Sequence, residues 1–529
     1  MVPVEEIGQY GGAWRRVWTG PSDSWGPRRL GHQHIIQYDA HGQHMLPNIA
    51  VDWEISDDAR AFTFYLREGI RWSDGVPFTA DDIVFQFEDV FGNKEITPSF
   101  PSWLTVSGKP VKVSKIDDYT VEFRFEEPYG MFLIPFARDS AHLYAPKHYM
   151  SQFHKDYADP EELQALMEKE GFDTWYELFL SKDDSWWVNN PDRPTIWTWK
   201  AANSSSAQRF RMERNPYFWH VDVEGNQLPY IDEVVHERVE DTEVMNLKAL
   251  AGEIDMQFRH MNVSNYPLFM EGRSKGDYRV FEWQAPLGGN PVIVFNETIE
   301  DPVLNSLFNN DQFRKALSLS LDRDTINELV FQGTCVPMQA AIIPEAGPYY
   351  SEEWATAYAE YDPERANEML DAIGLDKRDA DGYRLGPDGK RVEMTIEFYE
   401  GMQFEDDAIL LIAQYFEAVG VKTAVRSVER STYSVRRESN QQQIRIEGMA
   451  AQIPMLARVA WIIPTPDMSH WGVEYARWYN TGGKAGVEPP ADVKRLFELY
   501  DMIKQSSDPD EWVELVQEMN ALHAKNIWF

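Results

Sequence analysis

The sequence of 529 residues contains one cysteine, Cys335. One thiol cannot form an internal disulfide, and it cannot build a metal site that requires several thiolates. The sequence also lacks the run of about 18 apolar residues that a membrane-spanning helix requires. The nearest candidate, residues 449–464, is interrupted by Gln452 and Arg458. We therefore predict a chain without internal disulfides or transmembrane helices.

Positive charge is scarce, because the sequence has 50 Lys and Arg but 86 Asp and Glu. The formal net charge is therefore −36. Such a negative surface repels phosphate backbones, which argues against nucleic-acid binding and against charge-driven docking on an anionic membrane. The hydrophobic share of 43% is that of a folded protein, so the acidity does not indicate disorder. At about 150 residues per domain, the length predicts three or four folded units.

Common enzyme and metal signatures are missing as well. The sequence has no G-x-S-x-G, no H-E-x-x-H and no P-loop. Adjacent carboxylates such as Asp81 and Asp82 cannot face each other across a sugar as glycoside hydrolysis requires. The densest histidine group is more typical of a surface than of a metal site; it comprises His32, His34, His41 and His44. We expect no metal, no cofactor and no enzymatic activity.

The patterns that are present alternate between strand and helix. Residues 62–66 and 121–125 alternate apolar and polar side chains, which predicts half-buried strands. Between them, Thr79 and Asp82 have the spacing of a capping box at the start of a helix. Residues 186–230 are rich in Pro, Asn, Ser and aromatic residues, and we expect loops there.

The second half of the chain is more regular. A strand at 392–398, a helix at about 404–419 and a strand at 421–425 form a predicted β-α-β unit, which is typical of a mostly parallel sheet. Three further helices are expected at candidate N-terminal caps. These caps are Asp311, Asp322 (with a helix ending at Gly333) and Asp362.

Aromatic residues are abundant, with 19 Trp, 24 Tyr and 28 Phe. Flat rings with a polar edge suit ligands that have both apolar faces and many hydroxyl groups. Trp471, Tyr475 and Trp478 would share one face if their segment is helical. The alternative is that these rings fill the cores of a large protein, and for any single Trp that alternative is favoured.

Three motifs resemble the family 5 extracellular solute-binding proteins, the binding components of ABC importers for peptides, oligosaccharides and nickel. Residues 46–50 and 72–82 resemble the family signature, and residues 313–333 resemble a helix pair of its second lobe. Residues 215–219 with 225–232 are similar to a long-chain subgroup that includes oligosaccharide binders. The resemblance covers essentially the whole chain.

The resemblance implies an α/β, two-lobed periplasmic-binding-protein (Venus-flytrap) fold with an extra domain inserted in lobe one. Pro286, Gly288 and Gly289 are the expected hinge residues, because Pro and Gly suit a chain segment that bends. The expected parts are lobe one (1–46 and 181–284), the inserted domain (47–180), the hinge (285–290), lobe two (291–526) and the start of a return to lobe one (527–529).

The resemblance also bears on the ligand. Peptide-binding members carry an Asp three residues after a Trp, where it neutralises the peptide ammonium group. Here Trp461 is followed by Pro464 at that position, although Asp467 could serve if the alignment is shifted. Without an anion the buried ammonium would lose several kcal/mol. We therefore predict an oligosaccharide, captured in an aromatic-lined cleft between the lobes. The alternatives are an oligopeptide-binding protein of the same family and a secreted carbohydrate-active enzyme.

Two tryptophans are the leading ligand contacts predicted from sequence. Trp461 precedes a Pro-rich break in lobe two, and Trp25 lies between Gly and Pro residues in lobe one. The implied partners are the permease and ATPase of an ABC importer, and we expect a monomer. A periplasmic or extracellular location, lipid-anchored or free, requires a leader that has been removed, because the first residues lack an apolar segment. The apolar end at 526–529 suggests the first residues of a strand in a truncated chain.

Overall fold

The computed structural model describes residues 6–23, 25–40, 42, 44–184, 190–283, 287–399, 406–450, 456, 461–464 and 471–529. The chain forms two compact units. The first comprises Met1–Met261 and Leu268–Val280, and the second comprises Asn262–Pro267 and Phe281–Phe529. The last passage between them follows Val280, shortly before the predicted hinge at 285–290. The predicted inserted domain at 47–180 stays a prediction.

The first unit contains twelve of the described strands. It also contains seven of the described helices completely and all but the first two residues of an eighth. The strands are β1 (Ala13–Trp18), β2 (Ile36–Tyr38), β3 (Met45–Pro47), β4 (Ala50–Ile55), β5 (Ala61–Leu66), β6 (Thr105–Val106), β7 (Lys109–Pro110), β8 (Lys112–Asp117), β9 (Thr120–Arg124), β10 (Trp199–Ala201), β11 (Arg209–Arg214) and β12 (Glu233–Arg238). The helices are α1 (Trp25–Arg28), α2 (Ala80–Phe85), α3 (Leu133–Asp139), α4 (Lys147–Met150), α5 (Pro160–Glu170), α6 (Trp175–Asp183), α7 (Thr242–Leu250) and α8 (Tyr266–Gly276).

Two sheets organise the first unit. One has the strand order β1-β12-β11-β10, in which β1 and β12 are parallel and the other pairs are antiparallel. The other has the order β4-β5-β9-β8 and is antiparallel throughout. In β5 the predicted alternation is confirmed, because Phe62, Phe64 and Leu66 are buried while Thr63 and Tyr65 remain partly exposed.

The second unit contains the remaining described elements. Its strands are β13 (Leu287–Phe295), β14 (Glu393–Tyr399), β15 (Lys422–Val428) and β16 (Ile444–Ala450). Its helices are α9 (Pro302–Phe308), α10 (Asp311–Leu319), α11 (Arg323–Val330), α12 (Glu352–Thr356), α13 (Pro363–Leu370), α14 (Asp406–Ala418), α15 (Arg430–Glu438), α16 (Val473–Asn480), α17 (Ala491–Gln505) and α18 (Pro509–Asn526).

The sheet of the second unit has the order β13-β16-β14-β15. Strand β14 is parallel to both neighbours, whereas β13 is antiparallel to β16. The predicted β-α-β unit is confirmed as β14-α14-β15, with Ile396 opposite Val425. Gly420 closes the turn at φ +90°, and a Cβ there would lie 2.3 Å from Nη1 of Arg378, so only glycine fits.

Helix starts were predicted with one error. Asp322 and Asp362 cap α11 and α13 through their side chains, as expected. The cap of α10 is Asn310 rather than Asp311, because the Asn310 side chain accepts the backbone N–H of Gln312 at 3.0 Å. Helix α11 also ends at Val330, earlier than the expected Gly333.

The expectation of loops over 186–230 is wrong in part, because β10 and β11 lie there. In β11 the buried Phe210 and Met212 alternate with charged residues, a two-residue period that the surrounding Asn and Ser obscure.

The expected strand at 526–529 is absent as well. Ile527 has φ +45° and ends α18, and its carbonyl oxygen accepts a 2.8 Å hydrogen bond from Nε of the buried Arg314. Among the described residues, no helix is both long and apolar enough to span a membrane.

Candidate functional site

Open α/β sheets bind ligands beyond the carboxyl ends of their parallel strands, so each unit has one edge to inspect. In the second unit, β14 ends at Tyr399 and β15 ends at Val428, directly before α15. In the first unit, β1 ends at Trp18 and β12 ends at Arg238. We call the surroundings of these positions the second-unit edge and the first-unit edge.

The second-unit edge has an aromatic pair beside a cation. The rings of Tyr399 and Tyr433 lie 5.1 Å apart between centroids, and the Arg430 guanidinium lies 5.4 Å from the Tyr399 ring. The Tyr433 hydroxyl donates to the backbone carbonyl of Ile446 at 3.0 Å. Burial, followed by the Glu447 charge, raises the pKa of Tyr433 far above its usual value. The phenol therefore stays neutral.

Two of the predicted hinge residues lie at the same edge. Gly288 and Gly289 belong to β13, whose start pairs with the carboxyl end of β16. The Gly288 carbonyl accepts the backbone N–H of Ala341 at 2.9 Å. A Cβ on Gly289 would lie 2.5 Å from Cγ2 of Val292, so glycine permits this close packing. Pro286 lies outside the described residues, and the hinge stays a prediction.

Two of the predicted ligand contacts lie in an aromatic cluster within the second unit. Trp461 is 3% exposed, with its ring 6.3 Å from that of Phe529. Trp471 is fully buried and stacks on Trp528 at 4.9 Å. The His523 imidazole packs against the rings of Trp528 and Phe529, at 4.9 and 5.3 Å between centroids. The cluster is part of a packed core.

A shared helical face was predicted for Trp471, Tyr475 and Trp478. Only Tyr475 and Trp478 lie in a helix, because α16 begins at Val473. The buried Tyr475 donates its hydroxyl to Oδ1 of Asn309 at 2.9 Å. Trp478 keeps part of its ring exposed, and the Lys494 ammonium lies 5.6 Å from the ring centroid.

The first-unit edge carries an ion-pair network around a buried carboxylate. Asp23 accepts hydrogen bonds from Arg259 and from Nε2 of His260, the latter at 2.9 Å. Burial alone would raise the pKa of Asp23, but the His260 hydrogen bond and the Arg259 charge lower it below its usual value. Trp25, the predicted contact in this unit, begins α1, and its side chain lies outside the described residues.

Several exposed aromatic side chains were missed from the sequence. Trp283 and Phe281 are 67% and 61% exposed, directly before the predicted hinge, and Phe258 is 41% exposed beside Arg259. A large ring left in solvent is a stronger indication of binding than a buried one. For Trp283 and Phe281, the position next to the Pro/Gly stretch was the available sequence signal.

The histidine group does not form a metal site among the described residues, where no group of three or more His, Cys, Asp or Glu could hold a metal. His32 packs instead against Trp197 and His142, at 4.6 and 5.1 Å between ring centroids. Burial is the main cause that lowers the pKa of His32 to about 2, so this ring is neutral at physiological pH. His44 is exposed, and His41 lies outside the described residues.

A cavity lies elsewhere, on the antiparallel sheet of the first unit. It measures about 790 Å³, and it is open to solvent. Its lining includes Val51, Tyr65, Glu68 and Asp117. It lacks an enclosed aromatic wall and does not lie at a carboxyl strand edge.

A family model and a related protein both match most of this chain. The family model of bacterial extracellular solute-binding proteins, family 5 Middle, matches residues 44–467. A periplasmic alpha-galactoside-binding protein of Rhizobium meliloti (strain 1021) is 25% identical over 509 residues, which cover 93% of this chain and 69% of that protein.

Two solved structures share the fold. An oligopeptide-binding protein OppA is 40% identical, with a TM-score of 0.73 over 100% of this chain and 85% of that chain. The periplasmic binding protein MelB of Agrobacterium fabrum C58, in complex with stachyose, is 21% identical, with a TM-score of 0.74 over 99% of this chain and 79% of that chain.

Proposed function

The chain belongs to the bacterial extracellular solute-binding proteins of family 5, and we propose that it captures an oligosaccharide outside the cytoplasm and delivers it to an ABC importer. The observation that carries the ligand class is the similarity to an alpha-galactoside-binding protein over 93% of this chain. The stachyose complex of a protein with the same fold supports it.

The residues at the peptide-recognition position support a neutral ligand end. Pro464 is buried and carries no charge where peptide binders resemble one another in having an Asp. A peptide ammonium buried there would need another carboxylate to offset its desolvation. Asp467, the shifted alternative, lies outside the described residues.

We propose that Tyr399 and Trp283 provide ring surfaces for the sugar, with Arg430 as a hydrogen-bond donor to hydroxyl groups. Aromatic faces bind the apolar faces of sugar rings while charged donors fix their orientation. Trp461 and Trp478 remain proposed contacts. Trp461 would need a shift of its neighbours to reach a ligand, whereas Trp478 already exposes part of its ring.

The proposed partners are the permease and ATPase of the importer. The family is one of solute-binding proteins rather than enzymes, and we propose a monomer without a cofactor. A lipid anchor or a cleaved leader belongs to the same proposal, and the native gene upstream of Val2 would reveal either.

An oligopeptide ligand is the second candidate. It is favoured by the 40% identity to the oligopeptide-binding protein OppA of known structure. In that case a carboxylate at a position other than 464 must pair with the peptide ammonium group.

Isothermal titration tests the proposal. The panel contains galacto-, manno- and cello-oligosaccharides of three to six units, stachyose, and mixed peptides of two to six residues. We expect one sugar series to bind with a dissociation constant in the micromolar range or below. No monosaccharide should be released after long incubation. Binding of peptides alone would favour the second candidate, and release of sugars would favour an enzyme.

A further inference from the structure

Basic side chains gather at the first-unit edge of a chain whose formal net charge is −36. Arg16 lies two residues before the carboxyl end of β1, and its Nη1 donates to the backbone carbonyl of Gly26 in α1 at 3.4 Å. Arg28 is the last residue of α1, and Arg29 follows it. Arg259 binds Asp23 just before α1. We call Arg16, Arg28, Arg29, Arg138 and Arg259 the arginine cluster.

The members of the cluster act on one another electrostatically. Arg29 is partly desolvated, and this desolvation, together with the charges of Arg259 and Arg138, lowers its pKa. Burial and the Arg29 charge lower the pKa of Arg28 to about 9. The Arg28 guanidinium therefore remains protonated at pH 7, in a region where further positive charge is unfavourable.

Two carboxylates lie among these arginines. Asp23 is shared by Arg259 and His260, and Asp139 pairs with Arg138 at 3.0 Å. Arg16 is 3% exposed, and its Nε has no hydrogen-bond partner among the described residues. A buried guanidinium with an unused donor is costly unless an anion or acceptor reaches it.

One member of the cluster is exposed, at the position where a ligand is expected. Arg29 is exposed, and the Arg259 side chain is 12% exposed beside the exposed Phe258 ring. The position beyond the carboxyl ends of β1 and β12 is where open α/β sheets bind their ligands. Arginine forks suit a carboxylate because both oxygens accept parallel hydrogen bonds.

We propose that the arginine cluster binds a carboxylate of the captured ligand, so that the transported solute is an acidic oligosaccharide that contains uronic acid units. The sugar part of this inference rests on the proposed function. A peptide C-terminus presents the same carboxylate chemistry, and the test separates the two sources.

The test uses two ligand pairs that differ only in charge. The sugar pair is trigalacturonate and its fully methyl-esterified form; the peptide pair is trialanine and trialanine amide. Titration is carried out on the whole chain at low and at high salt. The variants are Arg29→Gln and Arg259→Gln. The control is Arg209→Gln, an exposed arginine at the start of β11.

We expect wild type to bind trigalacturonate at least about tenfold more tightly than the ester, in line with a charge-assisted hydrogen bond. Arg29→Gln should reduce that preference about tenfold, high salt should reduce it as well, and Arg209→Gln should retain it. Arg259→Gln also removes a partner of the buried Asp23 and could therefore unfold the protein. If Arg259→Gln does not fold, the result for Arg29→Gln alone decides the test.

The outcomes separate the two proposals. Preference for trialanine over its amide, lost in Arg29→Gln, with no sugar binding would uphold the carboxylate site and refute the oligosaccharide. Equal binding of acid and ester, with tight binding of neutral sugars, would overturn the carboxylate site and leave the proposed function intact. The absence of any carboxylate-dependent gain in either pair overturns the inference.

Discussion

At the scale of single residues, His236 illustrates how burial determines a response to pH. Its ring packs beside those of Trp18 and Phe210, at 5.9 and 6.1 Å between centroids, and neither ring nitrogen has a hydrogen-bond partner among the described residues. Burial, followed by the Arg16 charge, lowers the pKa of His236 far below its usual value. The folded state therefore keeps this imidazole neutral.

The first prediction follows from that neutral ring. Because the unfolded chain takes up a proton below about pH 6.5 and the folded chain does not, stability is lost as pH falls. We expect His236→Phe to change the free energy of unfolding by less than about 1.5 kcal/mol at pH 7.5, since no hydrogen bond is lost. At pH 5 it should stabilise the protein relative to wild type by up to about 2 kcal/mol.

Urea unfolding of both proteins at pH 7.5 and pH 5 measures the effect. His44→Phe, the same substitution at an exposed histidine, is the matched control. An unchanged difference between wild type and His236→Phe at the two pH values would contradict the neutral buried imidazole.

The second prediction concerns an exposed ring. Trp283→Ala should weaken binding of the identified ligand by more than about 1 kcal/mol, as removal of an aromatic anchor does. Stability should change by less than about 0.5 kcal/mol, because the side chain is in solvent. Titration and thermal unfolding give the two values. Tyr361→Ala, an exposed ring of the same unit, is the matched control. Wild-type affinity in Trp283→Ala would remove this residue from the site.

At the scale of elements, helix α2 depends on a capping box that also anchors neighbouring segments. The Thr79 backbone N–H donates to Oδ2 of Asp82 at 3.0 Å, and the Thr79 side chain accepts in return. Asp82 is buried and accepts two further hydrogen bonds, from Trp72 Nε1 at 3.2 Å and from the backbone N–H of Lys147 at 3.1 Å. One carboxylate thus joins the start of α2 to two other segments.

The third prediction compares the two members of this box. Thr79→Ala removes only a cap and should cost about 1 kcal/mol. Asp82→Ala leaves two more buried donors without acceptors and should cost about 3 kcal/mol or more. Urea unfolding at pH 7.5 ranks the variants, and Thr174→Ala, in the capping box of α6, is a control expected to match Thr79→Ala. Equal costs for Thr79→Ala and Asp82→Ala would show that the further hydrogen bonds are not important for stability.

Local signals in the sequence were sufficient for elements with strong periodicity. The Thr79 box, strand β5 and the β14-α14-β15 unit were predicted because capping and apolar spacing act within a few residues. Strand β11 was missed because its two buried residues lie among polar ones. The cluster that buries Trp471 and Trp461 could not be predicted, because it depends on α18 bringing Trp528 and Phe529 against them.

The candidate site was less accessible to sequence reasoning than the fold. The tryptophan count indicated an aromatic ligand surface, but the buried rings were preferred over exposed ones such as Trp283. The arginine cluster joins residues 16, 28, 29, 138 and 259, which only the tertiary structure brings together. A long-range cluster of this kind has no periodic signature in the sequence.

At the scale of the whole molecule, the chain has two units connected at three passages, after Met261, Pro267 and Val280. We propose that ligand binding closes the units by hinge bending near the last passage, because a two-unit binder can surround its ligand only by such a motion. A ligand that contacts both units favours the closed state by its differential affinity. Gly288 and Gly289, two of the predicted hinge residues, lie at the start of β13, a few residues after that passage.

The fourth prediction tests closure with two pairs of fluorophores. Cys335 is the single native thiol and is exposed in the second unit, so one added cysteine gives a defined pair. Lys112→Cys places the second dye in the first unit, and Lys390→Cys places it in the second unit; both lysines are exposed. We expect saturating ligand to change energy transfer in the Cys335–Lys112 pair and to leave the Cys335–Lys390 pair unchanged. Unchanged transfer in both pairs, with binding confirmed by titration, would mean that the units do not move on capture.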